Sequence, residues 1–406
     1  MEDLILIGVS HRRGGAEALE TYATDHAERP LPERLAALGV ASWFELRTCN
    51  RVDIVLTRPE GLAVDRLRAA IMPPNARKRP YAFVGEAALE QLTRVAASLD
   101  ALNPGEDQVM RQVRDAVQQA RTEGRIDPTL SFAADAALRV AKRVRREVPL
   151  APRDASLFSL ARTDVEAVLA NGGRAVVVGA GEMGRIATRS LTAIPGVHVT
   201  VVNRDVARAR AVALELGAEA LALADLTGRD LDAHVFVGAT SGGRLIDDAW
   251  LARAPSLRLA VDLGIPRTID AAAAHARGVR LLDVDALQVA GEARRGALAR
   301  HLATAEGLVR TGVDEAMGAW TERSLAPSIR ALQGWFEATL ADALPADVAR
   351  RLARRVAHVP VKGLRAVARE HGLAAAQTFL EETGLRALEP TCTGTDVPAP
   401  QEVVER

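Results

Sequence analysis

A cysteine flanked by two arginines is the most reactive arrangement in the sequence. Cys49 lies between Arg47 and Arg51 in the segment 44–55, FELRTCNRVDIV. The thiolate is the nucleophilic form of cysteine, and nearby guanidinium charge lowers the pKa of a thiol from its usual value of about 8.5. The arrangement therefore predicts a nucleophile that forms a covalent intermediate. The alternative is that Cys49 is a small buried hydrophobic residue, as isolated cysteines often are.

A second chemical pattern lies in the middle of the chain. The apolar segment 174–178 leads into a GxGxxG sequence at 179–184, and a helical pattern follows over 185–191. Between a strand and a helix, this sequence is typical of dinucleotide-binding folds, because the glycines let the backbone approach the pyrophosphate and the helix N-terminus supplies free N–H groups. The residues predicted to contact a dinucleotide are Gly179, Ala180, Gly181, Glu182, Met183 and Gly184.

The end of the next predicted strand, 199–202, bears on which nicotinamide dinucleotide is bound. Many NAD-binding folds have an acid here that holds the ribose 2′-hydroxyl, whereas this chain has Asn203 and Arg204. An arginine can pair with a 2′-phosphate. The sequence therefore favours NADPH, contacted by Asn203 and Arg204, although the acid Asp205 follows directly and weakens the distinction.

Composition limits the class of protein. With 406 residues, 48% of them hydrophobic, the chain can form two or three domains. Its 52 basic and 52 acidic residues cancel, so a nucleic-acid partner would have to meet a local basic face. The two cysteines have no paired spacing, which argues against a zinc site or a disulfide framework. The first apolar run, 4–9, is too short to span a membrane, so we expect a soluble cytoplasmic protein.

The elements that must position Cys49 form a small α/β domain. The apolar run 4–9 predicts a buried strand that enters a polar turn at 10–15. Alternating apolar residues on both sides of Cys49 predict two strands joined by an exposed connection at 48–51. Helices are predicted over 87–97, 105–121 and 128–148. The basic runs 77–79 and 142–146 are interpreted as solvated surface, with RNA phosphate contact as the alternative.

The remaining elements place the glycine loop in a doubly wound sheet. Strands predicted at 235–238, 259–263 and 279–282 alternate with helices, as in a parallel sheet covered on both faces. From 285 to about 320 the pattern predicts one long helix, interpreted as a spacer or dimer element. Further amphipathic helix is predicted from 327 to about 380. The Pro-, Thr- and Gly-rich end beyond 384 is predicted to be disordered.

Taken in order, a set of short motifs resembles the glutamyl-tRNA reductase family. The likeness covers roughly residues 1–380, and its specificity rests on the order of the set. The motifs are GVSH at 8–11, TCNR at 48–51, LD at 99–100, GEDQ at 105–108, QV at 112–113, AKRVR at 141–145, GAGEMG at 179–184, NR at 203–204, DLGIPR at 262–267, DVDAL at 283–287, PSIR at 327–330 and HVP at 358–360.

The resemblance implies an α/β fold in four parts. These are a small α/β N-terminal catalytic domain (1–150), a Rossmann-type doubly wound NADP-binding domain (151–284), a long spinal helix with a C-terminal helical dimerisation domain (285–383), and a tail (384–406). It also implies a homodimer that reduces glutamyl-tRNA to glutamate 1-semialdehyde with NADPH, the entry step of tetrapyrrole and porphyrin biosynthesis. Glutamate-1-semialdehyde aminomutase is then a candidate partner.

On this resemblance Cys49 would attack the aminoacyl ester, and the resulting thioester would accept a hydride. Arg51 would hold a substrate carboxylate with its planar fork. The residues that the motif match assigns to the substrate pocket are Thr48, Asn50, Arg51, Glu106, Asp107, Gln108 and Gln112.

Four positions depart from the family pattern. Phe83 stands where a histidine is usual, Ala101 replaces a serine, Arg47 replaces a serine and Arg111 replaces a glycine. Two alternatives therefore stay open: a paralogue that reduces another acyl ester or carrier-bound thioester, and a silent NADPH-dependent scaffold. A shikimate-dehydrogenase-like enzyme would share the cofactor fold but leave the long C-terminal helices unexplained.

The departure at Phe83 leaves open which group protonates the departing ribose oxygen. His11 is a candidate, because its strand is expected to pair beside those that carry Cys49 and an imidazole has a suitable pKa. The alternative role of His11 is to fix the turn at 10–15 by hydrogen bonds. Water or the tRNA itself could also supply the proton.

Overall fold

The computed structural model describes residues 1–24, 29–48, 50–150, 156–226, 232–240 and 242–382. Cys49 and the predicted disordered tail, 384–406, lie outside these ranges. The chain divides into two compact units, Met1–Val313 and Asp314–Arg406. Both sheets belong to the first unit, so the domain boundaries expected at 150, 284 and 383 remain predictions.

A four-stranded antiparallel sheet forms the N-terminal part of the first unit. Its strands lie in the order β2-β3-β1-β4, and Ser10 pairs with Arg51 where β1 meets β3. The two strands predicted around Cys49 are therefore present. The short strand β4 was not expected, since four residues carry little alternation of their own. The strands are β1 Leu4–Ser10, β2 Trp43–Thr48, β3 Arg51–Thr57 and β4 Tyr81–Val84.

Six helices surround this sheet: α1 His11–Thr24, α2 Leu31–Ala36, α3 Val64–Ile71, α4 Glu86–Ala96, α5 Asp107–Thr122 and α6 Pro128–Glu147. The segment predicted as a turn at 10–15 is helical from His11, but Gly15, with φ of 78°, breaks this stretch from the predicted helix that follows. The predicted start of α6 is confirmed, since the Asp127 side chain accepts a hydrogen bond from the N–H of Leu130. Pro128 fits the first position of that helix.

The second sheet has six parallel strands in the order β10-β9-β8-β5-β6-β7. Counted from β5 as the first strand, this is the 3-2-1-4-5-6 order of a Rossmann fold read from its other edge. The edge strand β7 was missed by the sequence analysis. The strands are β5 Gly173–Val178, β6 Val197–Asn203, β7 Glu219–Ala222, β8 Val235–Gly238, β9 Leu259–Asp262 and β10 Arg280–Leu282.

Helices pack on both faces of this parallel sheet. Alternate residues of β5 enter two separate cores, Ala175 and Val177 on one face and Val176 and Val178 on the other. The predicted doubly wound sheet is therefore confirmed. A 3₁₀ turn at Phe158–Ala161 precedes the helices, which are α7 Arg162–Val168, α8 Glu182–Thr192, α9 Val206–Leu216, α10 Leu223–Leu226, α11 Asp248–Ala252 and α12 Ala271–Ala276.

Three long helices complete the described chain: α13 Val284–Ala297, α14 Ala299–Ala341 and α15 Ala346–Glu382. Only Leu298 separates the first two, and backbone hydrogen bonds from Leu298 to Arg294 and from Leu302 to Leu298 run through the break. Helix α14 passes Pro327 and extends well beyond the predicted end near 320. Among the described helices, none combines the length and apolar character needed to cross a bilayer.

Candidate active site

The hairpin between β2 and β3 holds the residues on either side of Cys49. The hydroxyl of Thr48 accepts hydrogen bonds from the backbone N–H groups of Asn50, at 3.1 Å, and Arg51, at 3.2 Å. The N–H of His11 donates to the Asn50 carbonyl at 2.9 Å, which ties the hairpin to the start of α1. Asn50 and Arg51 are both buried, so the exposed connection expected at 48–51 is wrong for these two residues.

Arg51 is the centre of a buried ion network. Its Nη1 donates to Asp53 Oδ2 at 3.0 Å, and its Nη2 donates to both Oδ2 and the carbonyl of Asp100 at 2.8 and 2.9 Å. Burial alone would lower the pKa of Arg51, but Asp53 and Asp100 raise it above its ordinary value. The fork expected to hold a substrate carboxylate is thus engaged by two aspartates.

The two aspartates have further partners that fix them. The Tyr81 hydroxyl donates to Asp53 at 2.5 Å, and the Gln91 amide donates to Asp100 at 3.0 Å. Burial raises the pKa of Asp53. Burial acts to raise the pKa of Asp100, but Arg51 and the Gln91 hydrogen bond together act against it, and the net pKa is lowered. The pKa values of the two carboxyls that flank Arg51 are therefore shifted in opposite directions.

The pairing of both arginines changes the electrostatic setting predicted for Cys49. Arg47 is partly exposed and donates to the Glu45 carboxylate at 2.6 Å, and it also bonds the Ala23 carbonyl. Since both guanidinium groups face carboxylates, their charge is compensated locally. The network supports the hairpin at least as much as it provides positive potential.

Helix α5 begins with the residues that the motif match assigned to the substrate pocket. Glu106 precedes the helix and is 6% exposed. Burial raises the pKa of Glu106 to about 7, with Arg51 lowering it and Glu182 raising it. Glu106 therefore lies in the field of both the hairpin network and the glycine loop. Asp107 is the first helical residue, Gln108 is buried, and Gln112 is half-buried.

The position that the family pattern gives to histidine carries an apolar ring. Phe83 lies on β4 with its ring 5.7 Å from that of Tyr81. The Arg13 guanidinium carbon lies 4.9 Å from the centroids of both rings. The chain thus has a cation over two aromatic faces where a titrating imidazole was expected.

His11 is buried and contacts the start of α13. Its Nε2 lies 2.8 Å from Asp285 Oδ1, in the first turn of α13. Arg267 donates to the other oxygen of Asp285 at 2.6 Å. The imidazole therefore joins α1 to α13, and its role as a proton donor stays a prediction.

The glycine loop has the shape expected of a dinucleotide site. A Cβ on Gly179 would lie 2.2 Å from the Ala239 carbonyl oxygen, and one on Gly184 would lie 1.8 Å from that of Gly179. At Gly181, the N-cap of α8, no described atom lies within 4 Å of the position a Cβ would take. Two glycines thus serve close packing, while the open side of the third can admit a pyrophosphate.

Residues at the end of β6 are arranged around the cap of α9. The Asp205 carboxylate accepts a hydrogen bond from the N–H of Ala207 at 3.0 Å, and the Asn203 amide donates to the Asp205 carbonyl at 3.1 Å. Arg204 is exposed. The acid that made the sequence ambiguous therefore has a helix-capping role.

Helix α5 also meets the glycine loop. Arg111 Nη1 lies 2.7 Å from Glu182 Oε1. A cavity of about 730 Å³ lies beside this ion pair and is bounded by α5, α8 and the 3₁₀ turn. The fold thus brings the predicted pocket residues on α5 next to the loop at 179–184.

Several residues of this region were missed by sequence reasoning. They are Asp53, Tyr81, Gln91 and Arg295. A signal existed for Asp53, because residues two apart on a strand share a face and Arg51 is two residues away. The others come from distant parts of the chain and left no local pattern.

Comparison with known proteins identifies the family. The profile described as "Glutamyl-tRNAGlu reductase, N-terminal domain" matches residues 7–148, and that described as "Shikimate / quinate 5-dehydrogenase" matches residues 159–290. The second match covers the parallel sheet and thus indicates a nucleotide-binding domain of that type.

Curated relatives match over most of the chain. A glutamyl-tRNA reductase from Roseiflexus sp. (strain RS-1) is 32% identical over 371 residues, covering 86% of this chain and 85% of that protein. One from Sorangium cellulosum is 33% identical, covering 90% of this chain and 75% of that protein.

A solved structure agrees with these relatives. The glutamyl-tRNA reductase from Methanopyrus kandleri matches with a TM-score of 0.52 and 25% identity, covering 95% of this chain and 100% of that chain. The chain therefore belongs to the glutamyl-tRNA reductase family and is an enzyme of the oxidoreductase class.

Proposed function

We propose that this chain reduces glutamyl-tRNA to glutamate 1-semialdehyde with NADPH, the first step of tetrapyrrole synthesis. The observation that carries the proposal is the contact between α5 and the glycine loop, where Arg111 lies 2.7 Å from Glu182. This contact puts the helix that follows Glu106 beside the nucleotide loop. An acyl pocket at the hairpin and a hydride donor at the loop can then serve one reaction.

In the proposed reaction the thiolate of Cys49 attacks the ester carbonyl of the aminoacyl-tRNA. A carbon–sulfur bond forms, the carbon–oxygen bond to the ribose breaks, and the ribose oxygen takes a proton. NADPH, when bound, supplies the hydride that converts the thioester to the aldehyde, with release of the Cys49 thiolate. The covalent step divides one difficult reduction into two easier steps.

Residues of the hairpin and of the start of α5 can support these steps. Thr48 closes the hairpin through its hydroxyl, and Arg51 holds the end of β3 against Asp100. Glu106 is a second candidate, beside His11, for the donor of the proton to the ribose oxygen, because burial raises the pKa of its carboxyl to about 7 and the residue directly precedes α5. Asn50, Asp107, Gln108 and Gln112 remain assigned to the substrate pocket.

The preference for NADPH rests on Arg204. Its side chain is exposed at the end of β6, and the neighbouring Asp205 caps α9. An exposed guanidinium there can pair with a 2′-phosphate. The proposal assigns Asn203 and the residues of the glycine loop to the remainder of the cofactor site.

We further propose a homodimer formed through the second unit. Its helices expose large apolar side chains, which favour contact with a partner surface. These are Trp335, Leu352, Val356, Val359 and Phe379. Glutamate-1-semialdehyde aminomutase is the proposed partner that receives the product, and co-elution of the two purified proteins tests this.

One observation favours a second candidate function, a paralogue that reduces another acyl ester or a carrier-bound thioester. Phe83 and Ala101 leave an aromatic ring and a methyl group where the family pattern has polar groups. A panel of charged tRNAs and acyl thioesters separates the candidates, since aldehyde formation only from glutamyl-tRNA would exclude the paralogue.

The decisive experiment is single-turnover trapping of the acyl group. Purified protein is mixed with radiolabelled glutamyl-tRNA, with and without NADPH, and quenched in acid. We expect label on the protein without NADPH and aldehyde with it. Absence of both from well-folded protein would contradict the proposal and favour a silent scaffold.

A further inference from the structure

The contact between α5 and the glycine loop is made by a long exposed side chain. Arg111 extends from the first turns of α5, and Glu182 is the first residue of α8 after Gly181. Their charged atoms lie 2.7 Å apart, yet Glu182 Oε1 is buried and receives no aligned hydrogen bond from the described residues. The pair is thus held by charge without the directional bonds that would lock it.

The cavity beside this pair contains a second unused donor. The Gln108 side chain lines the cavity and is 4% exposed, and its Nε2 has no hydrogen-bond partner among the described residues. Leaving a buried amide donor unpaired costs about 1–3 kcal/mol. A guanidinium, an unpaired amide and the open side of Gly181 therefore border one space, a combination that suits an anionic ligand.

Glu182 and a bound pyrophosphate would both be negatively charged, so they would repel each other. A carboxylate at a helix N-terminus is stabilised by the helix dipole, and a pyrophosphate would occupy that same N-terminus. Burial raises the pKa of Glu182, and Arg111 acts against this shift. A bound pyrophosphate and the Glu182 carboxylate would therefore compete for the same guanidinium.

We propose that Arg111 is a positioning residue that leaves Glu182 and pairs with the pyrophosphate when the dinucleotide binds. This inference rests on the proposed cofactor and deepens it. Because α5 also carries Gln108 and Gln112 and follows Glu106, the exchange would draw the acyl pocket toward the bound nucleotide. Arg111 thereby couples cofactor binding to the local stability of α5, which hydrogen exchange measures.

The test is a double-mutant cycle on nucleotide affinity, measured by NADPH fluorescence. We expect Glu182→Gln to tighten NADPH binding about threefold or more, because it removes a competing charge. In that background, Arg111→Ala should still weaken binding about tenfold, since the lost contact is with the pyrophosphate itself. If Arg111→Ala has no effect in the Glu182→Gln background, the arginine only neutralises Glu182 and the inference is wrong.

Two further ligands locate the contact. ADP-ribose contains the pyrophosphate, so its affinity should fall on Arg111→Ala in the Glu182→Gln background as the affinity for NADPH does. Adenosine 2′-monophosphate keeps the 2′-phosphate but lacks both phosphates of the pyrophosphate, so it should bind all variants alike. An equal loss for both ligands would contradict a pyrophosphate contact. Arg189→Ala is the matched control. Arg189 is an exposed arginine on the third turn of α8 that lines the same cavity, but it pairs with Glu215 of α9.

Hydrogen exchange supplies a readout of the coupling that does not depend on turnover. NADPH should slow exchange along α5 in the wild type and in Arg189→Ala, but not in Arg111→Ala at saturating nucleotide. Equal protection in all three proteins would remove the coupling. If the wild type binds neither NADPH nor ADP-ribose, the proposed cofactor fails as well, whereas normal binding with an inert Arg111 overturns this inference alone.

Discussion

The hairpin network and the cavity at the glycine loop treat their polar groups in opposite ways. Around Arg51 the charged groups face one another: the guanidinium meets two carboxylates, and these meet Tyr81 and Gln91. Beside the loop, the Gln108 amide is unpaired among the described residues and Gly181 has an open side. The Arg51 guanidinium and its two carboxylates are therefore paired with one another, whereas the cavity has donors that a ligand could satisfy. The proposed reaction would use both, a fixed nucleophile and an adaptable cofactor site.

The largest effect should follow removal of the nucleophile. Cys49→Ser should abolish aldehyde formation, because a hydroxyl beside compensated arginines is a far weaker nucleophile than a thiolate. NADPH affinity should stay unchanged, since the glycine loop belongs to the other sheet. Acyl trapping and NADPH fluorescence on the same preparation check both statements. Substantial aldehyde formation by this variant would exclude the thioester mechanism.

Removing Arg51 from the hairpin network should lower the free energy of unfolding of the protein. Arg51→Ala leaves two buried carboxylates without their cation, and breaking a buried pair in this way costs roughly 3–5 kcal/mol. Arg47→Ala is the matched control, because its exposed pair with Glu45 is worth about 0–1 kcal/mol. Urea unfolding measures both changes. Equal, small losses would mean that the hairpin network is not a scaffold.

Two alanine substitutions in the glycine loop should separate packing from ligand binding. Gly184→Ala puts a methyl group against the Gly179 carbonyl, so we expect unfolding to become easier by about 1–3 kcal/mol. Gly181→Ala meets no described atom and should fold normally, yet weaken NADPH about tenfold by blocking the close approach of the pyrophosphate. Thermal unfolding and NADPH titration give the two readouts. Unchanged NADPH affinity in Gly181→Ala would place the nucleotide elsewhere.

Glu106 should make the stability of the folded protein depend on pH. Its folded pKa of about 7 lies above the usual value for glutamate, so the folded state binds this proton more tightly than the unfolded state. The stability associated with the protonated form is present at acid pH and is lost as pH rises through about 7, with a total on the order of 3 kcal/mol. Glu106→Gln should remove this loss.

The measurement for Glu106 is urea unfolding between pH 5 and pH 8. The exposed Glu60→Gln is the control and should keep the wild-type slope. Identical slopes in the wild type and Glu106→Gln would show that the carboxyl is not buried with a raised pKa. The same variant should also slow acylation if Glu106 donates the proton.

A cofactor-selective effect is expected at the end of β6. Arg204→Ala should weaken NADPH about tenfold and NADH less than about twofold, because only NADPH carries a 2′-phosphate. Paired titrations with both dinucleotides measure the ratio. Equal losses would assign Arg204 to the local structure around the α9 cap.

Local patterns were enough to predict the elements that hold the site. The two strands around Cys49 and the strand–loop–helix at 179–184 were found because alternation and glycine spacing act over a few residues. The segment 10–15, predicted as a turn, contains a single helical turn from His11 that ends at Gly15, which is too short to show helical periodicity. Pro327 did not end α14, although a proline inside a helix removes a backbone hydrogen bond.

Contacts between distant segments could not be predicted in this way. Arg51 and Asp100 are separated by 49 positions, and the sequence offered Arg51 only as a free cation. Arg111 looked like an unexplained departure from the family pattern, and its ion pair with Glu182 depends on how two helices meet. The identity of the partners, rather than the existence of the elements, was the information that only the fold supplied.

The support of the Asp100 segment has a consequence for biosynthesis. Arg295 in α13 donates to the carbonyls of Leu99 and Ala101, which lie 196 and 194 positions earlier and flank the aspartate that pairs with Arg51. During translation the N-terminal sheet emerges long before Arg295 leaves the ribosome. The nascent hairpin therefore stays without one of its supports until most of the chain has been made, and truncated products that end before α13 should contain an immature pocket.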